Sequence, residues 1–262
     1  MEKTPDLARI WRGDPLLEYY NPNDLANVIL TCDVDWAPDY AIERVLEIRA
    51  RFGCKITMFA THPSKVLLDR PDGVEVAIHP DFTRGANSDF DEKMRILKEA
   101  YPRARGMRSH RNFFGQNISD LAKKHGLEYD ASVFLWNEPF GQAQIDHNGI
   151  VRFTYFWEDG IHLKMGLPLS WEKVRVEEPG LKIFNVHPML IYLNSTSDEH
   201  RKLVTSRYKD LAAAPRREIE PEVNRRRGIT NLWIGLLERI ETEGVKTHHL
   251  GDLAKLKRGS TA

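Results

Sequence analysis

Features that define several large protein classes are missing from this sequence. No run approaches the roughly 20 apolar residues that a membrane span requires. The first 12 residues lack the basic segment followed by an apolar stretch that marks a secretory signal. Only two cysteines occur, Cys32 and Cys54, each inside an apolar run and too far apart for a short metal or redox pair. We therefore expect a cytoplasmic protein without a membrane span, whose two thiols are buried and reduced.

The sequence also lacks an excess of charge of either sign. Its 262 residues include 38 basic and 38 acidic side chains, which argues against a general nucleic-acid binder but leaves room for a local basic patch around an anionic substrate. No internal repeat or low-complexity segment is present. With 41% hydrophobic residues, the composition is typical of one globular domain, which we place over residues 1–262. The expected partner is a small molecule.

Short β-type runs alternate along the chain with runs of helical periodicity. Strands are predicted over residues 28–34, 55–60, 74–78, 131–134, 151–157, 182–186 and 245–249. Helices are predicted over residues 40–52, 90–101, 119–125 and 230–243. This alternation favours an α/β fold with a parallel sheet and helical crossovers. Residues 194–227, here called the charged excursion, are long, polar and interrupted by two prolines, and we interpret them as a departure from the core.

Polar side chains stand where the predicted strands end. They are Asp33, Asp35, His62, His79, Arg108, His110 and His187. Because the C-terminal ends of the strands in a parallel α/β barrel point to one face, these side chains are candidates to converge. Two carboxylates one residue apart repel each other unless a cation or a paired arginine neutralises them. An acidic pair with several histidines therefore indicates a site for a metal ion and for acid–base chemistry.

Seven motifs carry a resemblance to a known family. In chain order they are VILTCDVDWAPD, ITMFATH, VEVAIHPDF, GMRSHRNFF, YDASVF, FNVHPMLIYLN and VKTHHLGDLAKL. Their order resembles that of polysaccharide deacetylases of the NodB-homology type, and more closely that of the divergent members associated with O-antigen and other surface-polysaccharide biosynthesis. The resemblance covers most of residues 27–256. It implies a distorted, partly incomplete (β/α) barrel, a divalent metal ion and hydrolysis of an N-acetyl group on a sugar.

The resemblance also implies roles for individual residues. Asp33 matches the aspartate that acts as general base, Asp35 is similar to the metal-binding aspartate, and His79 matches the first metal-binding histidine. Arg108 resembles the arginine that orients the base, and His187 matches the histidine that acts as general acid.

Two positions depart from the family pattern. The second ligand histidine is expected four residues after His79, where this chain has Thr83, a poor zinc ligand. Val34 separates two aspartates that the family usually has adjacent. The inserted residue places the two carboxylates on opposite sides of an extended strand, or it requires a turn.

His110 is the candidate to replace the missing ligand. In an extended segment, residues two apart face the same side, so His110 points into the site if Arg108 does. The alternative role for His110 is that of a hydrogen-bonded residue in the wall of the site. His62 is the reserve candidate for the third ligand. The expected set is Asp35, His79 and His110 around a divalent ion, for which zinc is the expected metal.

Substrate contacts are expected near residue 158. Glu158 and the neighbouring Asp159 are expected to support His187 or to contact sugar hydroxyls. Trp157 and Trp136 are candidates to stack on a sugar face, with core packing as the alternative role for such aromatic side chains.

The charged excursion holds nine basic and four acidic residues between Arg201 and Arg227. Its last arginines, Arg225 and Arg226 among them, are predicted to bind the diphosphate of a nucleotide-linked amino sugar, because guanidinium pairs with phosphate oxygens in a bidentate way. A solvated helix pair or a subunit contact is the alternative. Two other functions stay open: a metal-free descendant that binds a sugar without hydrolysing it, and a deformylase or other amidohydrolase on the same scaffold.

Overall fold

A computed structural model describes residues 28–69, 71–83, 89–138, 141, 143–178 and 180–259. The first 12 residues, which bear on the question of a secretory signal, lie outside this part of the chain. Among the described residues, no helix is long and apolar enough to cross a membrane.

Ten strands form one sheet in the described residues. They are β1 (Val28–Asp33), β2 (Ile56–Ala60), β3 (Val74–Ile78), β4 (Gly106–Met107), β5 (Tyr129–Phe134), β6 (Gln144–Ile145), β7 (Val151–Tyr155), β8 (Trp157–Glu158), β9 (Lys182–Val186) and β10 (Thr247–His248). Their hydrogen-bonded order is β6-β7-β5-β4-β3-β2-β1-β9-β8, and β10 also pairs with β1. The strands run parallel, apart from the antiparallel pair β6 and β7.

The two ends of the sheet approach each other without closing. β7 pairs with β5, whereas β8, only one residue further along the chain, pairs with β9. The intervening Phe156 donates its N–H to Ile183 O at 2.8 Å, so the chain bends there from one side of the sheet to the other. The expected α/β fold, a distorted and partly incomplete barrel, is confirmed.

Helices connect most of the strands. They are α1 (Asp39–Arg51), α2 (Lys65–Leu68), α3 (Phe90–Ala100), α4 (Gln116–Lys124), α5 (Asp159–Lys164), α6 (Pro188–Leu193), α7 (Asp198–Thr205), α8 (Arg216–Ile219), α9 (Ile229–Thr242) and α10 (Leu250–Gly259). Within the described residues, two 3₁₀ turns lie at His110–Asn112 and Glu220–Glu222. The charged excursion therefore contains α7, α8 and the second of these turns.

The two faces of β1 show how the core positions the site. All six residues of this strand are buried. Leu30 and Cys32 pack into the larger apolar cluster with the helices, whereas Ile29 belongs to a second cluster that also includes Leu250 and Leu253 of α10. Since β10 and α10 lie beside the start of β1, apolar side chains fill that end, and the C-terminal strand ends carry the polar residues. Cys32 and Cys54 are both buried and free, as predicted.

Candidate metal and catalytic site

The strand ends meet at one cavity of about 590 Å³. Asp33 is the last residue of β1, while His79 and His187 each directly follow a strand. All three line the cavity, together with Asp35 and His110. The structure thus brings together side chains that lie up to 154 residues apart in sequence, as the strand-end pattern predicted.

Asp33 forms a buried ion pair with Arg108, which directly follows β4. Arg108 Nη1 donates to Asp33 Oδ1 at 2.8 Å and also lies 2.6 Å from Asn185 Oδ1. Asn185 Nδ2 donates to the other Asp33 oxygen at 3.0 Å, so both carboxylate oxygens are held. The guanidinium carbon lies 4.3 Å from the ring centre of Phe59 and 4.1 Å from that of Tyr155. This arrangement fixes the carboxylate rigidly at the cavity wall.

The surroundings of Asp33 keep it ionised. Burial raises the pKa of this carboxyl, but Arg108 first, and then His79 and His187, outweigh burial and hold the pKa below its ordinary value. Asn185 was not anticipated from the sequence. It stands two residues before His187 in an extended strand, and side chains at that spacing face the same side.

Asp35, His79 and His110 form a compact cluster of possible ligands. One donor atom from each lies within 4.8 Å of the other two. Asp35 Oδ1 is 3.2 Å from His79 Nε2 and 3.1 Å from His110 Nδ1. His79 Nδ1 donates to Arg108 O at 2.6 Å, which leaves Nε2 as the nitrogen facing the cluster. Two imidazoles and one carboxylate, with one imidazole oriented by a carbonyl, fit a divalent ion such as zinc.

A turn after β1 brings Asp35 into this cluster despite the inserted Val34. The Val34 side chain is fully buried in the core, and the backbone then turns, with φ of 46° at Asp35 and 56° at Trp36. Such left-handed conformations are unusual for these residue types and occur often at functional sites. Of the two alternatives left by the sequence, the turn is the one observed.

Two other residues considered as ligand positions, His62 and Thr83, lie outside this cluster. His62 hydrogen-bonds the Thr61 hydroxyl at 3.0 Å and is not part of the cluster. Thr83 is exposed and hydrogen-bonds Asp81. Among the described residues, His110 is thus the third possible ligand beside Asp35 and His79.

His187 is paired with Asp159 next to the cluster of possible ligands. Its Nδ1 lies 2.6 Å from Asp159 Oδ1, and its backbone N–H donates to Asp159 Oδ2 at 2.8 Å. Nε2 lies 3.8 Å from Asp35 Oδ2. Burial lowers the pKa of His187, but the Asp159 carboxylate outweighs burial, and the pKa is raised well above its ordinary value. The surroundings of His187, beside the possible metal site, therefore favour the protonated form of its imidazole.

The prediction that Trp157 stacks on a sugar face is wrong, because this side chain is not exposed in the cavity. The side chain is fully buried; its indole N–H donates to His162 Nδ1 at 3.2 Å, and its ring lies 5.0 Å from that of Trp171. Successive residues of a strand face opposite sides, so Glu158 points into the cavity while Trp157 points into the core. Trp136 does not line the cavity. The aromatic residues that do, Trp36, Phe134 and Tyr155, were not singled out from the sequence.

The charged excursion reaches the cavity through a different part than predicted. Its lining residues are Asp198, Arg201, Thr205 and Leu211. Arg225 instead pairs with Glu220 at 3.1 Å, and Asn194 Nδ2 donates to Arg226 O at 2.7 Å. These contacts hold residues 224–227 beside the end of α6, so the position of Arg225 and Arg226 does not support the predicted diphosphate contact. The exposed cations that do line the cavity outside the charged excursion are Arg111 and Lys164.

The fold is shared with polysaccharide deacetylases, and a family comparison identifies the same class of protein. Residues 30–204 match the model of the WbmS-like polysaccharide deacetylases, and the chain belongs to this family. The resemblance seen in the motifs is thereby confirmed. A comparison with curated proteins gives no match.

Three similar crystal structures share the fold. One, from Bordetella bronchiseptica, is described as a polysaccharide deacetylase involved in O-antigen biosynthesis; it has a TM-score of 0.69 and 23% identity over 81% of this chain and 90% of that one. A CE4 family pseudoenzyme from Bacillus anthracis has a TM-score of 0.50 and 14% identity over 87% of this chain and 65% of that one. A mutant pseudoenzyme of the CE4 family with restored enzymatic activity has a TM-score of 0.50 and 15% identity over 87% and 67%.

Proposed function

We propose that this protein is a divalent-metal-dependent hydrolase that removes an N-acetyl group from an amino sugar used to build a surface polysaccharide such as O-antigen. The observation that carries the proposal is the placement of three units around one cavity: the Asp33–Arg108 pair, the cluster of Asp35, His79 and His110, and the His187–Asp159 pair. Family membership and the O-antigen role described for the Bordetella bronchiseptica protein support the choice of substrate.

Each unit has a separate task in amide hydrolysis. A divalent ion, most suitably zinc, supplies a Lewis acid that polarises the acetamide carbonyl. Asp33 is ionised and held at both oxygens, so it is suited to take a proton from the attacking water. His187 has Nδ1 engaged by Asp159 and a raised pKa, so its Nε2 is suited to give a proton to the departing amine. Base and acid thus have pKa values pushed apart by their surroundings, as acid–base catalysis requires.

We also propose that the enzyme accepts the amino sugar in nucleotide-linked form. Arg111 and Lys164 line the cavity, and in the described part of the chain neither forms an ion pair or a side-chain hydrogen bond. Cations without a carboxylate partner at the mouth of an active site attract anionic groups such as phosphates. In this role they replace Arg225 and Arg226.

Release of acetate tests the main proposal. The purified protein, stripped with chelator and reloaded with zinc, is assayed with N-acetyl amino sugars, free and nucleotide-linked, and with their N-formyl counterparts. We expect acetate release that depends on metal, and an Asp33→Asn variant that keeps its metal but is about 10²- to 10⁴-fold slower. Release of formate alone supports the deformylase alternative. No hydrolysis by metal-loaded protein contradicts the proposal.

A metal-free sugar-binding protein is the second candidate. The observation that favours it is Thr83, which stands at the expected ligand position and hydrogen-bonds Asp81 instead of joining the cluster. The similar CE4 pseudoenzyme provides a precedent within this fold. Metal analysis separates the two candidates, because this alternative requires substoichiometric zinc in folded protein that still binds an N-acetyl amino sugar.

A further inference from the structure

Gly160 is the second residue of α5 and lies in the cavity wall. Its φ is not among the positive values of the chain, so the backbone conformation does not require glycine. Glycine is less favourable than alanine inside a helix. A Cβ at this position would lie 3.3 Å from Glu158 Oε1, 3.7 Å from Leu190 Cδ1 and 4.0 Å from His187 Cε1. The missing side chain therefore leaves a small space, here called the Gly160 notch, between the carboxyl of Glu158 and the imidazole of His187.

The Glu158 carboxyl has one oxygen engaged and one open. Oε2 lies 3.0 Å from the Tyr155 hydroxyl, and the Tyr155 ring stacks against Arg108. Oε1 has no hydrogen-bond partner within the described residues, and it is absent from the set of fully buried polar atoms that lack partners. Because Glu158 lines the cavity and Oε1 borders the Gly160 notch, this oxygen faces the space that substrate would occupy.

We propose that the Gly160 notch binds a sugar hydroxyl on a ring carbon next to the acetamido-bearing carbon, and that Glu158 is the specificity-determining residue that hydrogen-bonds it. The inference rests on the proposed function, since it requires His187 to approach the leaving nitrogen. The hydroxyl on a neighbouring carbon is the closest polar group of the sugar to that nitrogen, and Glu158 Oε1 is the open acceptor beside His187. The substrate class is then an N-acetyl amino sugar with that hydroxyl free, because an acylated oxygen has no hydrogen to donate to Glu158 Oε1.

A pair of substrates tests the role of Glu158. One is an N-acetyl amino sugar with the neighbouring hydroxyl, and the other is its deoxy analogue. We expect the wild-type kcat/KM to favour the hydroxyl substrate by about 10- to 100-fold, the range for a hydrogen bond to a charged group. Glu158→Ala should remove most of this preference, and Glu158→Gln should retain part of it. If Glu158 only holds Tyr155 and Arg108 in place, both substrates lose activity by the same factor and the preference persists, which overturns the proposal.

Gly160→Ala tests the notch itself, and Gly235→Ala is the matched control. Gly235 lies within α9, has no atom within 4 Å of an added Cβ and is not in the cavity lining. Gly235→Ala should maintain or raise the unfolding temperature, because alanine favours a helix. For Gly160→Ala the unfolding temperature is measured to show that the variant folds, because its Cβ would lie 3.3 Å from Glu158 Oε1. Gly160→Ala should raise KM for the hydroxyl substrate about 10-fold or more, whereas Gly235→Ala should leave it unaltered. An unaltered KM in Gly160→Ala, with the fold intact, contradicts the notch.

Binding separates failure of this inference from failure of the proposed function. If the wild-type protein hydrolyses no N-acetyl amino sugar, the proposed function fails, and calorimetric titration then tests the notch with the same two sugars. Tighter binding of the hydroxyl sugar by wild type than by Glu158→Ala, with no such difference for the deoxy sugar, supports it. Equal binding of both sugars by both proteins overturns it.

Discussion

Charged side chains are organised differently at the strand ends and in the charged excursion. At the strand ends, Arg108 has no exposed surface and pairs with a nearly buried Asp33. In the excursion, Arg225 pairs with Glu220, but the two side chains are 72% and 40% exposed. The first pair is enclosed by two aromatic rings and an asparagine, whereas solvent surrounds most of the second.

The difference shows that burial of an ion pair, and not the density of charge in the sequence, distinguishes the strand-end site. A buried charge is costly unless it is paired and hydrogen-bonded. Arg108 meets this condition through Nε and Nη1, while Nη2 has no hydrogen-bond partner in the described residues. Exposed pairs contribute little and are readily screened by salt. The excursion has an excess of five positive charges between Arg201 and Arg227, yet of these nine cations only Arg201 lines the cavity, whereas Asp33 of the buried pair lines it directly.

Loss of a strand-end histidine should have the largest effect. We expect His79→Ala to abolish both stoichiometric zinc and acetate release, because it removes one of three possible ligands. His147→Ala is the control, since that side chain is 60% exposed. Zinc is measured by elemental analysis of folded protein. Asp35→Ala, a change at a less buried position, covers the case in which His79→Ala fails to fold. Full zinc retention in either folded variant contradicts the ligand set.

Replacing one arginine from each region compares the two kinds of ion pair directly. Arg108→Gln leaves Asp33 buried without its cation and should lower the free energy of unfolding by about 3–5 kcal/mol. Arg225→Gln removes an exposed partner and should produce no measurable change. Urea denaturation of both variants provides the measurement. Similar losses in the two variants would show that burial does not distinguish the regions.

The fold was largely predictable because it depends on local periodicity. The strands at residues 74–78 and 182–186 have the predicted bounds, and both apolar cysteine positions are in the core. The two-residue strands β4 and β6 were not predicted, since they are too short to show an alternating pattern. The predicted strand at 151–157 is interrupted at Phe156, where the chain changes partner strands, a tertiary event that local sequence does not encode.

The positions of site residues were predictable for side chains at strand ends. They were not predictable where a turn or a distant loop determines the position of the side chain. Asp33 and His187 were predicted from their positions at strand ends and from the motifs. The left-handed turn at Asp35 was one of two open alternatives, and Trp157 was assigned to the wrong face of its strand. Arg225 and Arg226 were chosen for their charge alone, and their contacts with Glu220 and Asn194 depend on how the excursion folds.

The pH profile tests the acid at the strand ends. The raised pKa of His187 means that its proton is retained until the pH rises well above the ordinary histidine value, so kcat/KM should decline only at that higher pH. Asp159→Asn removes the carboxylate that opposes burial, so the decline should move to lower pH by about one unit or more. The acidic limb, set by the lowered pKa of Asp33, should shift little. If the alkaline limb of the pH profile does not move in Asp159→Asn, His187 is not the group that donates the proton.

The smallest expected effect concerns the two cations at the cavity wall, and it compares them with the arginines of the excursion. Arg111 and Lys164 are exposed and line the cavity, so their contacts with a phosphate are solvated and individually weak. Changing both to alanine should raise KM for a nucleotide-linked substrate about two- to five-fold. The difference from wild type should shrink as salt is added, because exposed charges are screened. The same change should leave KM for an uncharged N-acetyl sugar nearly unaltered.

The matched control changes Arg225 and Arg226 to alanine, which should alter KM for neither substrate, because these residues lie outside the cavity lining. A larger effect from Arg225 and Arg226 than from Arg111 and Lys164 would return the phosphate contact to the excursion and require it to move when substrate binds.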